Sequence, residues 1–206
     1  MIHRHTIDTL GQLEALYGSP GEASLKKVAD HLHPHYQAMI AASPFAVLAT
    51  SNEHVLDTSP RGDAPGFVAV QDDRTLLLPD RRGNQRIDSL RNIVADPRVA
   101  LLFLIPGVGE TLRVKGRARI SIEPDLLARF AVDDKPPQCV IVIAVEAVYF
   151  QCARAIQRSK LWAPVAADAP RTVPTAGAIL AALSAGTFDG DTYDRELPQR
   201  QKNTLY

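Results

Sequence analysis

The sequence predicts a mainly β protein with flanking helices, its strands joined chiefly by short hairpin turns into an antiparallel barrel. Three observations lead there. From Pro44 onward, apolar residues alternate at the strand period over seven separate runs rich in Val, Ile, Leu and Phe. Only two helical stretches interrupt those runs, too few for a doubly wound sheet, which needs a helix between most strands. The segment up to Ala42 has helical spacing, but its apolar faces are too narrow to stand alone.

In chain order, Leu10, Leu13, Leu16 and Tyr17 recur at helical spacing until Ser19-Pro20-Gly21 ends the pattern. Leu25, Val28, Ala29 and Leu32 make a second stripe, and Pro34 imposes a break or kink before residues 36–40. The candidate strands are 45–50, 55–59, 67–71, 75–78, 99–104, 111–122 and 140–151, with Asp72-Asp73 reading as a hairpin turn. Within 111–122, Leu112, Val114, Gly116, Ala118 and Ile120 alternate with Arg113, Lys115, Arg117 and Arg119, giving one apolar and one cationic face. Asn84 is placed to cap a helix carrying Ile87, Leu90, Ile93 and Val94, which ends before Asp96-Pro97. A second helix starts after Glu123 with Pro124 in its first turn and runs through Leu126, Leu127 and Phe130. After Trp162 the composition shifts to Ala, Pro, Thr and Asp, with a short helix over 176–183 and a polar tail from Phe188. The expected division is a helical cover over 1–42, a barrel domain over 43–163, and a C-terminal extension over 164–206 that packs on the barrel or on a dimer partner.

Composition narrows the function classes. The 206 residues hold 23 basic and 23 acidic side chains, 46% hydrophobic and 22% charged residues, which is ordinary for a globular chain of one domain. A net charge of +0 removes the long-range attraction on which non-specific nucleic-acid binding depends. The longest apolar runs, such as 139–145, fall far short of the roughly 18–20 residues of a membrane span. No apolar segment with a small-residue cleavage site follows the N-terminus, and Cys139 and Cys152 make no disulfide framework, so a reducing cytoplasm is expected.

Four clusters could carry chemistry. Residues 57–66, Asp-Thr-Ser-Pro-Arg-Gly-Asp-Ala-Pro-Gly, are expected between two strands; a guanidinium beside a hydroxyl and open backbone amides suits a phosphate, while a plain turn-rich loop is the alternative. Residues 79–86, Pro-Asp-Arg-Arg-Gly-Asn-Gln-Arg, end a strand and open a helix, where the dipole favours an anion and Arg81, Arg82 and Arg86 sharpen that preference; a solvated surface turn fits equally well. In residues 110–119 the water-facing side of a barrel explains Lys115, Arg117 and Arg119 better than a ligand cleft does. Residues 151–162 leave the longest strand with Arg154, Arg158 and Trp162, which is either a core plug or a stacking surface. His3, His5, His31, His33, His35 and His54 all precede most of the strand-rich region, Pro34 disrupts the His31/His35 pairing, and no second cluster completes a tetrahedral set, so no metal site is expected.

With those residues in view, the chain resembles the pyridoxamine 5′-phosphate oxidase-like flavoproteins of the FMN-binding split-barrel type. The resemblance is to a branch marked by Asp-x-Ser-Pro-Arg-Gly-Asp-x-Pro-Gly, Pro-Asp-Arg-x-Gly-Asn-x-Arg, Glu-Thr-Leu-Arg-Val and Arg-Ser-x-Leu-Trp, here at 57–66, 79–86, 110–114 and 158–162. It implies a six-stranded antiparallel split barrel and a homodimer with FMN at the subunit interface. By position it implies Ser59, Arg61 and Gly62 beside the flavin or its phosphate, Asp80 approaching the ring, and Asn84 and Arg86 holding the phosphate. It further implies Thr111 as a polar contact to the ring, and Arg158 and Ser159 arriving from the partner chain to orient substrate. The vitamin B6 oxidase holds its substrate with an Arg-x-His pair, and this chain has Arg158-Ser159-Lys160; relatives often carry His-Cys where it has Gln151-Cys152. Both departures argue against oxidation of pyridoxamine phosphate itself.

The resemblance therefore implies an FMN-dependent oxidoreductase passing hydride between flavin N5 and a small molecule or nicotinamide. The runner-up is a non-catalytic flavin or haem carrier, and a cofactor-free dimeric interaction module is the third class.

Overall fold

The computed structural model describes residues 5–166, 168–170 and 172–206, so His3 lies outside the described residues. Alternation has produced seven strands, β1 (Phe45–Ser51), β2 (Leu56–Gly62), β3 (Ala69–Asp72), β4 (Thr75–Pro79), β5 (Arg98–Leu104), β6 (Thr111–Ser121) and β7 (Val140–Gln151). They form one antiparallel sheet in the order β2-β1-β5-β6-β7-β4-β3. Seven is one more than the resemblance implies and equals the number of alternating runs. The long β6–β7 pair is shared: β5 pairs with the first part of β6, and β4 with the first part of β7. A bulge between Lys115 and Gly116 bends the pair where the two halves meet. Ala46, Leu48, Leu76, Leu78, Leu101, Phe103, Val114, Ile141 and Ile143 thus point into one core, which closes the sheet into a split barrel. Arg113, Lys115, Arg117 and Arg119 are exposed on its outside, as the water-facing alternative required.

Helices flank this barrel. α1 (Leu10–Tyr17) and α2 (Glu22–Lys26) bury no residue, whereas α3 (Pro34–Ala42) starts at its proline and buries Ile40. The second apolar stripe is not one helix. Ala29 forms a β-bridge with Val148, and Leu32 enters the core at 1% exposure. α4 (Asp88–Ala95) packs Ile93 into the core, and α5 (Pro124–Arg129) leads to Phe130, which packs with Leu126 and Leu127 over Leu77, Val140 and Val142. α6 (Arg154–Ser159) follows β7, and α7 (Ala176–Leu183) lies where the sequence placed it.

Three expectations are corrected. The tail after Phe188 is α8 (Gly190–Asn203), capped by Asp189 and docked on α7 where Gly177 and Gly190 let the backbones touch; its interior Pro198 and polar surface hid it. The strand expected over 55–59 runs on to Gly62 as β2, so residues 60–62 are strand rather than part of a loop between strands. Pro60 is tolerated there because β2 is a sheet edge paired only with β1. Asn84 does not cap α4: Gln85 and Ile87 take left-handed φ of 60° and 52°, Ile87 is the capping residue, and Asn84 accepts from the Arg86 amide.

Candidate functional site

A cleft of about 940 Å³ opens where β2, the end of β4 and the start of α4 converge. Being a strand, β2 puts Asp57, Ser59 and Arg61 on one half-buried face while Leu56, Thr58, Pro60 and Gly62 face out. The second wall is residues 79–90, which follow β4, and the third is residues 135–138 with Tyr206. Ser59, Arg61, Gly62, Asp80, Asn84 and Arg86, far apart in sequence, all line it.

Across the cleft wall Arg61 Nη1 donates to Asp80 Oδ1 at 2.5 Å, with side chains only 17% and 15% exposed. Arg61 Nε is buried without a partner among the described residues, an unspent donor beside the cleft. Among the described residues no side chain caps α4, so its first-turn amides, on residues lining the cleft, stay available and carry the positive end of the helix dipole. Ile87 is a β-branched residue held in the left-handed region, strain that the surrounding structure must support. α4 is locked in place by buried polar bonds: Ser89 Oγ donates to Asp57 at 2.9 Å, Asn92 Nδ2 to Thr50 at 3.1 Å, and Asn52 Nδ2 to Asn92 at 2.6 Å.

The other arginines differ in availability. Arg81, expected to attract an anion, instead donates to Asp63 Oδ2 at 2.7 Å and to the Phe130 carbonyl at 2.6 Å, so its charge is largely matched. Arg86 is 74% exposed and donates to Asp88 at 2.8 Å; Arg82 is exposed and has no charged partner among the described residues. Burial works against ionisation of Asp63, but the Tyr206 hydroxyl, the Ala64 amide and Arg81 together hold its carboxyl below the ordinary range. Burial, with the Asp80 charge adding to it, pushes the Cys139 thiol up to about 11 and keeps it protonated.

Thr111, Arg158 and Ser159 do not line this cleft. Thr111 is buried at the start of β6 opposite Gln151, and Arg158 and Ser159 are exposed on α6. Arg61 pairs with Ala46, Ala46 with Phe103, and Phe103 with Leu112. Thr111, next to Leu112, therefore lies three strand spacings from Arg61, roughly 15 Å across the sheet, and α6 follows β7 one strand further on. Trp162, just after α6, is half-buried, its Nε1 donating to the Val108 carbonyl at 2.7 Å, and it is no part of the core. Among the described residues no group of three metal-ligating side chains occurs, and no helix is long and apolar enough to cross a membrane. Sequence reasoning had Asp63 within the first cluster but missed its contact with Tyr206, 143 positions away, and the wall at 135–138; only Pro136-Pro137 hinted at a stiff segment there.

A split barrel with an anion-ready cleft between its edge strand and a helix N-terminus defines the class. Residues 32–152 match the sequence model of the family described as pyridoxamine 5′-phosphate oxidase, and the chain belongs to that family. Among solved structures it is similar to HupZ of Group A Streptococcus, at 20% identity over 58% of this chain and 94% of that one, with a TM-score of 0.46. It is also similar to a Clostridium acetobutylicum protein related to general stress protein 26 of B. subtilis and assigned to the pyridoxinephosphate oxidase family. That match has 11% identity over 57% of this chain and 86% of that one, with a TM-score of 0.45. Comparison with curated proteins found no match.

Proposed function

We propose that the cleft binds FMN by its phosphate and that the protein is an FMN-dependent oxidoreductase, with a small organic molecule or a nicotinamide as hydride partner. The observation that carries this reading is the pairing of a buried, unpartnered Arg61 Nε with the uncapped first turn of α4 on the same cleft. Both supply donors that a phosphate accepts, and an anionic acceptor makes the stronger bond to each. The residues fit the group: Arg61 and the amides of Asp88 to Leu90 would hold the phosphate, with Arg82, Asn84 and Arg86 at the rim. Ser59 and Asp80 would face the remainder of the ligand. FMN when bound supplies hydride transfer at N5; the chain's part is to anchor, orient and exclude water. Family membership supports a flavin and a homodimer, in which Arg158 and Ser159 of one chain would reach the cleft of the other.

One observation favours the alternative, a flavin carrier without turnover. Among the described residues each carboxylate lining the cleft already accepts a hydrogen bond, Asp80 from Arg61, Asp57 from Ser89 and Asp88 from Arg86, which stabilises its charged form and weakens it as a general base. Hydride transfer to flavin needs no such base in every case. The absorbance spectrum of the purified protein, with mass identification of the released chromophore, tests both. A yellow protein reduced by NAD(P)H and reoxidised by air supports the enzyme, and a yellow protein inert to both supports the carrier. Colourless protein that takes up no added FMN overturns the flavin reading.

A further inference from the structure

α8 ends at Asn203, and the residues after it turn back so that Tyr206 lines the cleft. Its hydroxyl donates to Asp63 Oδ1 at 2.7 Å. The receiving carboxylate is a built socket, since its side chain is 6% exposed and it also accepts from the Ala64 amide and from Arg81 Nε, each at 2.7 Å. Arg81 is fixed beyond that by the Phe130 carbonyl, and its guanidinium lies 5.5 Å from the centroid of the Tyr206 ring. The cluster ties together the segments that follow β2, β4 and α8. The first two lie next to Arg61 and Asp80, the buried pair of the cleft.

A tyrosine that only covered surface would need no such socket. We propose that Tyr206 is a positioning residue of the ligand cleft. Its ring is a wall of the site, and its hydroxyl, held by Asp63, clasps the segment after α8 against the barrel so that bound ligand leaves slowly. The proposal rests on the flavin reading above. The clasp acts on release because the Tyr206 ring, which lines the cleft, is held in place by the Asp63 bond, so breaking that bond removes contacts made in the bound complex and shows chiefly in the rate of leaving.

The test is FMN release from the full-length holoprotein, followed by recovery of flavin fluorescence on dilution. The proteins compared are the wild type, Tyr206→Phe, Tyr206→Ala, Asp63→Asn and the Asp63→Asn/Tyr206→Phe double variant. Tyr206→Phe keeps the ring and its packing, so it tests the hydroxyl alone whatever the alanine variant does to the fold. Loss of a hydrogen bond to a charged acceptor is expected to speed release about tenfold. Tyr206→Ala should be faster still, because it also removes the wall. The double variant should release no faster than the faster of its parents, since the two groups act as one unit. Unchanged release from both Tyr206 variants, with tight binding by the wild type, overturns the clasp and leaves the flavin reading standing. Additive effects of Asp63→Asn and Tyr206→Phe also overturn it, because they show two independent surface contacts. A wild type that binds no FMN overturns both readings together.

Discussion

Arg61 and Arg86 present the same charge to the cleft with unequal weight. Arg61 is 17% exposed and paired across the cleft with an equally sheltered Asp80, so its field is little screened; Arg86 is 74% exposed and paired with a neighbour two residues away. Arg61→Ala is therefore expected to weaken FMN binding about 10- to 100-fold, the worth of a charge-assisted bond, and Arg86→Ala only about two- to threefold. Equilibrium flavin titration reads both. Arg61→Ala also strands the Asp80 carboxylate and should destabilise the fold by roughly 1–3 kcal/mol. The Arg61→Ala/Asp80→Asn double variant should regain that stability without regaining affinity, which separates the binding role from the folding one. Asp63 gives a pH signature at the same scale. Its folded-state pKa lies below the ordinary 3.8, so the stability contributed by its donors is fully present above 3.8 and lost as pH falls through the depressed value. Asp63→Asn should be less stable than the wild type at neutral pH, and denaturant melts in acid should show that difference shrinking below pH 3.8.

The element most sensitive to a single atom is the β6–β7 pair. A Cβ on Gly116 would lie 2.1 Å from the Ala144 carbonyl oxygen and 3.2 Å from Ile143 Cγ2, at the bulge where the barrel turns. Gly116→Ala is expected to cost about 1–3 kcal/mol or more, read as a lower urea midpoint with an unchanged m-value. That glycine was legible only as one member of an alternating run, because the bulge depends on Glu146 having no partner opposite it, a feature of two strands together. The strands themselves were legible because half-buried strands write their period directly into sequence. α7 was legible for its apolar composition, whereas α8 was hidden by Pro198 and by a packing surface made of two glycines instead of an apolar stripe. In the cleft, the anion preference of 57–62 and 79–86 was visible in residue types. The engagement of Arg81 by Asp63 and the return of Tyr206 were not, because they join residues 18 and 143 positions apart through tertiary structure alone.

At the scale of the whole molecule, none of Thr111, Arg158 and Ser159 lines the cleft of its own chain, so a part for them in binding the ligand of that cleft calls for a second copy. This makes the dimer testable through the site rather than through mass alone. Arg61→Ala and Arg158→Ala should each abolish tight FMN binding when made separately. If each cleft takes Arg61 from one chain and Arg158 from its mate, a mixed dimer of the two variants pairs both lesions in one cleft and leaves the other intact. Co-expressed and purified by two different tags, that mixed dimer should bind one FMN with wild-type affinity. If both arginines served the cleft of their own chain, every cleft of the mixed dimer would carry one lesion and none would bind tightly. A stoichiometry of one flavin per mixed dimer thus supports the exchange of α6 across the interface. Loss of binding in both clefts of the mixed dimer refutes that exchange and leaves the Arg61 cleft, if it binds flavin at all, a site built within one chain.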